Sequence, residues 1–232
     1  DFDGLDNLKE LTLRGNKLNF LSSSAFLNLE KLESLDLSNN ELFTLPEDVF
    51  AKNVKLKSLN LASNQLRDLP ERIFTATLLL EELILNKNHL QDFKQKQFTG
   101  LNQLKVLDLS ANRIELFATS NIFEGLVSLV ELNLSTNQIK ALQPEVWLQL
   151  TNINSLDLSY NLLKSVPDNS FLGLKRLKTL RLDHNMISKK LTGNALKDLR
   201  SLENLFLSDN FIPSIDEKLL MESPRLAELY LQ

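Results

Sequence analysis

Nine asparagines recur almost in step along the chain: Asn16, Asn40, Asn64, Asn88, Asn112, Asn137, Asn161, Asn185 and Asn210, each 24 or 25 residues after the last. Each closes the phrase LxxLxLxxN and is followed two residues later by Leu or Ile. One copy runs from Leu32 through Leu35 and Leu37 to Asn40 and Leu42. A phrase that returns at a fixed period through nine units marks a stacked array. Each unit of such an array buries its apolar face only against its neighbours. A helical array with a chance asparagine does not produce it.

Within the phrase, Leu35 and Leu37 point one way and Asp36 points the other, the period-2 alternation of a short strand. One strand per unit, always in the same direction, stacks into a parallel sheet with neighbours about 4.8 Å apart. Leu35, Leu37, Leu42 and their counterparts face the interior, each contributing roughly 1.5–3 kcal/mol. The asparagine falls where the chain turns away from the sheet. Its amide both donates and accepts, so it is expected to satisfy backbone groups of its own turn and of the next one. Removing it would strand buried polar groups at about 1–3 kcal/mol each.

The second half of each unit carries another column: Phe26, Phe50, Phe74, Phe98, Phe123, Trp147, Phe171, Leu196 and Leu220. Each lies ten residues after its asparagine, except Phe123 and Leu196, which lie eleven after. Both single-residue insertions therefore fall between asparagine and spine. The column reads as packed core. Leu45-Pro46, Leu69-Pro70 and Val166-Pro167 fix extended backbone just past the sheet. The expected fold is an α/β solenoid: a horseshoe with a parallel concave sheet and a mostly extended or short-helical convex side.

The unbroken period makes residues 1–232 one array of about nine full repeats with partial repeats at both ends. Phe2 lies 24 residues before Phe26, and the chain closes on Leu226, Leu229, Leu231 and Gln232 without the next asparagine. These edges lead to the expectation that the sequence is a fragment of a longer array, with any membrane anchor outside it. No apolar run approaches the roughly twenty residues of a membrane span; Leu78-Leu79-Leu80, for one, stops at Glu81-Glu82. A net charge of −4 and a pI near 5.4 argue against nucleic acid, which selects a basic face. No cysteine is present, which alone slightly favours a reducing compartment.

The 24-residue phrase with its Phe column resembles the typical class of leucine-rich repeat. Toll-type receptor ectodomains, chaoptin-like adhesion proteins and small matrix leucine-rich proteins share it. The plant receptor class is disfavoured because its Gly-x-Ile-Pro after the asparagine turn is missing. The ribonuclease-inhibitor class has longer, helix-bearing repeats. The resemblance covers the whole chain and implies non-catalytic recognition of a protein or glycan at the cell surface or outside the cell, in adhesion or innate immunity. Extracellular members of the class carry their disulfides in terminal caps, so the absent cysteines do not decide location. Asn133-Leu134-Ser135 is an N-glycosylation sequon if the chain is secreted.

Two rows of strand residues are expected to face solvent on the concave side. The first runs Thr12, Asp36, Asn60, Ile84, Asp108, Asn133, Asp157, Arg181, Phe206 and Tyr230; the second runs Arg14, Ser38, Ala62, Asn86, Ser110, Ser135, Ser159, Asp183, Ser208 and Gln232. Most of these are small and polar. The last three units differ: Arg181, Phe206 and Tyr230 should form a contiguous row, flanked by Asp183 and His184, with Lys178 and Tyr160 at the edges. Aromatic and Arg side chains on an accessible surface have the composition of a binding hot spot. The competing reading is that Phe206 and Tyr230 simply cover each other, or pack beneath a flanking segment outside this sequence. Ser188 to Gly193 replaces the Leu-Pro turn of the eighth unit, either as a local bulge that makes a contact or as a solvated lysine pair.

Catalysis lacks a constellation. His89 and His184 lie four units apart, about 20 Å along the stack, too far to share a metal or a proton. Asp183-His184 with Ser159 or Ser208 has the residue types of a triad, but an open strand exit supplies neither pocket nor oxyanion hole. No cofactor and no metal are implied. The expected role is a recognition module of a receptor or adhesion ectodomain. An intracellular scaffold and a self-associating matrix protein, acting as a homo-oligomer, are the alternatives.

Overall fold

The computed structural model describes residues 2–117 and 121–232, less the side chains of Leu220 and Glu222. Ten strands of three residues each succeed one another: β1 (Glu10–Thr12), β2 (Ser34–Asp36), β3 (Ser58–Asn60), β4 (Glu82–Ile84), β5 (Val106–Asp108), β6 (Glu131–Asn133), β7 (Ser155–Asp157), β8 (Thr179–Arg181), β9 (Asn204–Phe206) and β10 (Glu228–Tyr230). They form one parallel sheet in sequence order. The register keeps equivalent residues side by side, as in Leu35 beside Leu59 and Arg181 beside Phe206. The strands are short because their leucines must turn inward again after a few residues to close each rung.

Each interior asparagine ties two rungs together. Asn64 Nδ2 donates to the carbonyls of Leu61 and Ala62 in its own turn and of Leu37 in the rung before, at 3.1, 3.3 and 3.0 Å. Its Oδ1 accepts the Leu42 N–H at 3.0 Å. Asn112, Asn137, Asn161 and Asn185 repeat the pattern. The cross-rung partner is thus the preceding turn and not the following one. Geometry decides this: the amide sits past the strand's end, where the earlier rung's backbone carries an open N–H and carbonyl.

The spine is buried through Phe26, Phe50, Phe74, Phe98, Phe123, Trp147, Phe171 and Leu196; the side chain of Leu220 lies outside the described residues. The ring centroids of Phe26–Phe50, Phe74–Phe98, Phe98–Phe123 and Phe123–Trp147 are 6.1 to 6.3 Å apart. Strands on the opposite wall repeat at about 4.8 Å. Wider spacing on the aromatic wall bends the stack toward the sheet, which therefore lines the inner face.

The helical part of the expected fold class shrinks to two 3-10 segments among the described residues, Pro144–Trp147 and Glu217–Glu222. With about two dozen residues per rung and two walls to build, none remain for a full helix. The first insertion, between Asn112 and Phe123, falls in a segment that includes residues 118–120, outside the described residues. Around the second, Ser188–Gly193 bridges to the next rung: Leu191 pairs with Ile215, and Lys190 Nζ lies 3.4 Å from Asp216. The segment makes a contact, and Lys189 stays in solvent.

Candidate recognition surface

A continuous row crosses the concave face at the last rungs. Parallel register sets Asp157, Arg181, Phe206 and Tyr230 side by side. The guanidinium of Arg181 lies 4.7 Å over the Phe206 ring. That ring stacks on Tyr230 with centroids 4.6 Å apart and planes 4° from parallel. The two aromatics do cover each other, yet Tyr230 keeps an exposed face. Its hydroxyl donates to Glu228 Oε2 at 3.1 Å, and this bond to the carboxylate raises the phenol above its ordinary pKa.

Arg181 is held from below. Its Nε and Nη2 donate to the two oxygens of Asp183 at 3.2 and 3.0 Å, and Asp157 Oδ2 lies 3.9 Å from Nε. The bond to Asp183 outweighs desolvation and raises the guanidinium pKa further. A clamped, planar cation keeps little rotamer freedom to lose when a partner docks. The Asp183 side chain is 5% exposed, so it orients Arg181 and leaves contact to its neighbour.

Four of the ten residues in the second expected solvent row, Ser38, Ser110, Ser159 and Asp183, are buried. The chain has begun its turn there, and backbone bonds draw the residue in. Ser38 N–H donates to Asp36 Oδ1, and its carbonyl accepts from Gly15 N–H and from Asn40 Nδ2. Of the two rows, only the first is open along its length. The residues before it, Ser34, Ser58, Glu82, Val106, Glu131, Ser155, Thr179, Asn204 and Glu228, share the concave side; the simple alternation of the strand places them there.

The remaining expected contacts separate. Tyr160 and His184 sit on the turn beyond the strand, both in left-handed backbone at φ 52° and 53°, and their rings stack at 4.0 Å. His184 Nε2 is 3.3 Å from Asp209 Oδ2 and 3.9 Å from Asp183 Oδ2. Asp183 therefore joins the rim pair to the concave row. Lys178 is not part of either cluster: it stands at the strand entry, 3.3 Å from Glu203. At the same register position Lys9, Glu33, Lys57, Glu81 and Lys105 form ion pairs between earlier rungs, and uncharged Val130 and Asn154 separate them from Lys178. Among the described residues no serine hydroxyl bonds His184, and Asp183 is committed to Arg181, so the triad residue types do not assemble. Asn133 lies on the concave row beside Asp108 and Asp157, its Oδ1 accepting Ser135 N–H at 3.0 Å.

A family model described as leucine rich repeat matches residues 2–75, 79–139 and 127–187. No curated protein matches the sequence significantly. Among solved structures, the TLR13–ssRNA13 complex shares 29% identity and a TM-score of 0.89 over 98% of this chain and 33% of that one. The Toll–Spatzle complex, described as a hub of Drosophila development and innate immunity, shares 28% identity and a TM-score of 0.90 over 99% of this chain and 31% of that one. A leucine-rich repeat protein of Leptospira interrogans shares 25% identity and a TM-score of 0.71, covering 98% of this chain and 72% of that one. The chain thus spans about a third of the length of the two receptor chains it resembles.

Proposed function

The chain belongs to the leucine-rich repeat family, and from that premise we propose that it is a recognition segment of a Toll-type receptor ectodomain. In this reading it is non-catalytic, acts at the cell surface or outside the cell, and binds a protein through its last rungs. The observation that carries the proposal is the Arg181–Phe206–Tyr230 row, a clamped cation stacked on two parallel rings at one end of the concave face. Solved relatives of the same shape are described in complex with ssRNA and with Spatzle. Here the concave row sets Asp157 beside Arg181 and carries Asp108 and Asp36 further along, a poor match to phosphate. A protein partner fits this surface better than RNA.

The test is to capture a binding partner on the immobilised chain and compare its affinity for the wild type and for Phe206→Ala with Tyr230→Ala. Loss of two stacked hot-spot aromatics should weaken binding by about 2 kcal/mol or more, roughly thirtyfold. Unchanged affinity, with far-UV circular dichroism intact, would remove the site.

A further inference from the structure

One rung position changes character along the array. The residue after each asparagine is Lys17, Glu41, Gln65, His89, Arg113 and Gln138 through the first six rungs, then Leu162, Met186 and Phe211. Backbone bonds put these in register: Leu162 N–H donates to Ile139 O, Met186 to Leu163 O and Phe211 to Ile187 O, each at 2.9 Å. The last three form an unbroken apolar ridge on the flank where the chain leaves the sheet. They are 36%, 44% and 69% exposed. Leu162 and Met186 have occupied rungs on both sides and still face water. Six polar residues at the same position show that the fold does not require an apolar side chain there.

The ridge has distinct borders. Burial alternates along the exit segment, so Tyr160, Leu162 and Lys164 point outward while Asn161 and Leu163 are buried. On one side stands the Tyr160–His184 stack, followed by Asp209, whose side chain is 63% exposed. Among the described residues, the only ion-pair partner of Asp209 is His184, which is charged only when protonated. On the other side Lys164 is exposed. The rungs repeat at about 4.8 Å, close to the 5–6 Å between side chains three or four apart on a helix.

We propose that this flank is a second docking surface, separate from the concave row, for an amphipathic helix of a partner protein. The helix lies along the stack with its apolar stripe on Leu162, Met186 and Phe211. A Lys or Arg beside the stripe faces Asp209, and an acidic residue on its other side faces Lys164. Charge complementarity fixes which way the helix faces, and the matched spacing favours a helix over an extended strand, whose same-side residues lie about 6.6 Å apart.

The probe is a synthetic amphipathic helix with leucines at i, i+4 and i+7 and a lysine row along one border, against a control with the leucines scrambled. The wild-type chain should bind the probe and not the control. Leu162→Gln, Met186→Gln and Phe211→Gln together should weaken binding at least ~10-fold. Asp209→Asn should weaken it severalfold and lessen its salt dependence. Gln65 and Gln138 already occupy this position, so the triple variant keeps its fold; Phe211→Gln alone should show a smaller loss in the same direction. Phe206→Ala with Tyr230→Ala should leave probe binding unchanged, which separates this surface from the concave one. Absence of probe binding, equal binding by the triple variant, or dimerisation of the wild-type chain that the triple variant lacks would each overturn the proposal.

Discussion

The asparagine at each turn does two jobs with one amide: it closes its own turn and holds the rung before. Truncation removes an acceptor for one buried N–H and donors for up to three carbonyls. Asn64→Ala should therefore lower unfolding free energy by about 1–3 kcal/mol in urea titration. Asn16→Ala should have a smaller effect, since that amide is exposed and bonds only Leu13 and Arg14 of its own turn. The position before each asparagine adopts left-handed backbone, including Ala111, Thr136 and Tyr160. Asn39 suits it; a β-branched Thr136 does not. Thr136→Asn should raise stability by about 0.5–1 kcal/mol, measured as a shift of the same urea midpoint.

Between elements, the sheet is reinforced at its entry edge by alternating charges. Glu33 lies between Lys9 and Lys57, and Glu81 pairs with Lys105. The bond from Lys57 leads in holding Glu33 below its ordinary 4.5, and the bond from Lys105 does the same for Glu81. A carboxylate depressed in the folded state stabilises it above the ordinary value, and that contribution disappears as pH falls through the lower folded value. The thermal midpoint should thus fall with acidification below 4.5, and Glu33→Gln with Glu81→Gln should flatten that decline. These pairs are exposed, so added salt should shrink the difference. The bridged segment at the eighth rung gives a packing test: a Cβ on Gly193 would stand 2.8 Å from Lys218 Cβ. Gly193→Ala should destabilise by about 1–3 kcal/mol in thermal unfolding.

For the whole molecule, the winding was legible because it is written in repetition: the Asn40-type turn and the Phe26-type spine each recur too often to be chance. The Arg181–Phe206–Tyr230 row followed from strand parity alone. Parity failed for Ser38 and Asp183, since both point outward from the strand but are drawn in by turn hydrogen bonds that alternation does not encode. Lys178 stands at the strand entry, where it pairs with Glu203 of the next rung, apart from the aromatic row. The Leu162–Met186–Phe211 ridge was visible in sequence as a change of residue type at one rung position. It needed the burial pattern to show that the position faces solvent.

Concentration of recognition in the last rungs is tested most directly by amide hydrogen exchange on the chain with its captured partner bound. The expected footprint is slowed exchange in β7 to β10 and the turns that follow β7, β8 and β9, with β2 to β5 unchanged. Protection of β2 to β5, with exchange around Arg181, Phe206 and Tyr230 unaltered, would contradict the account.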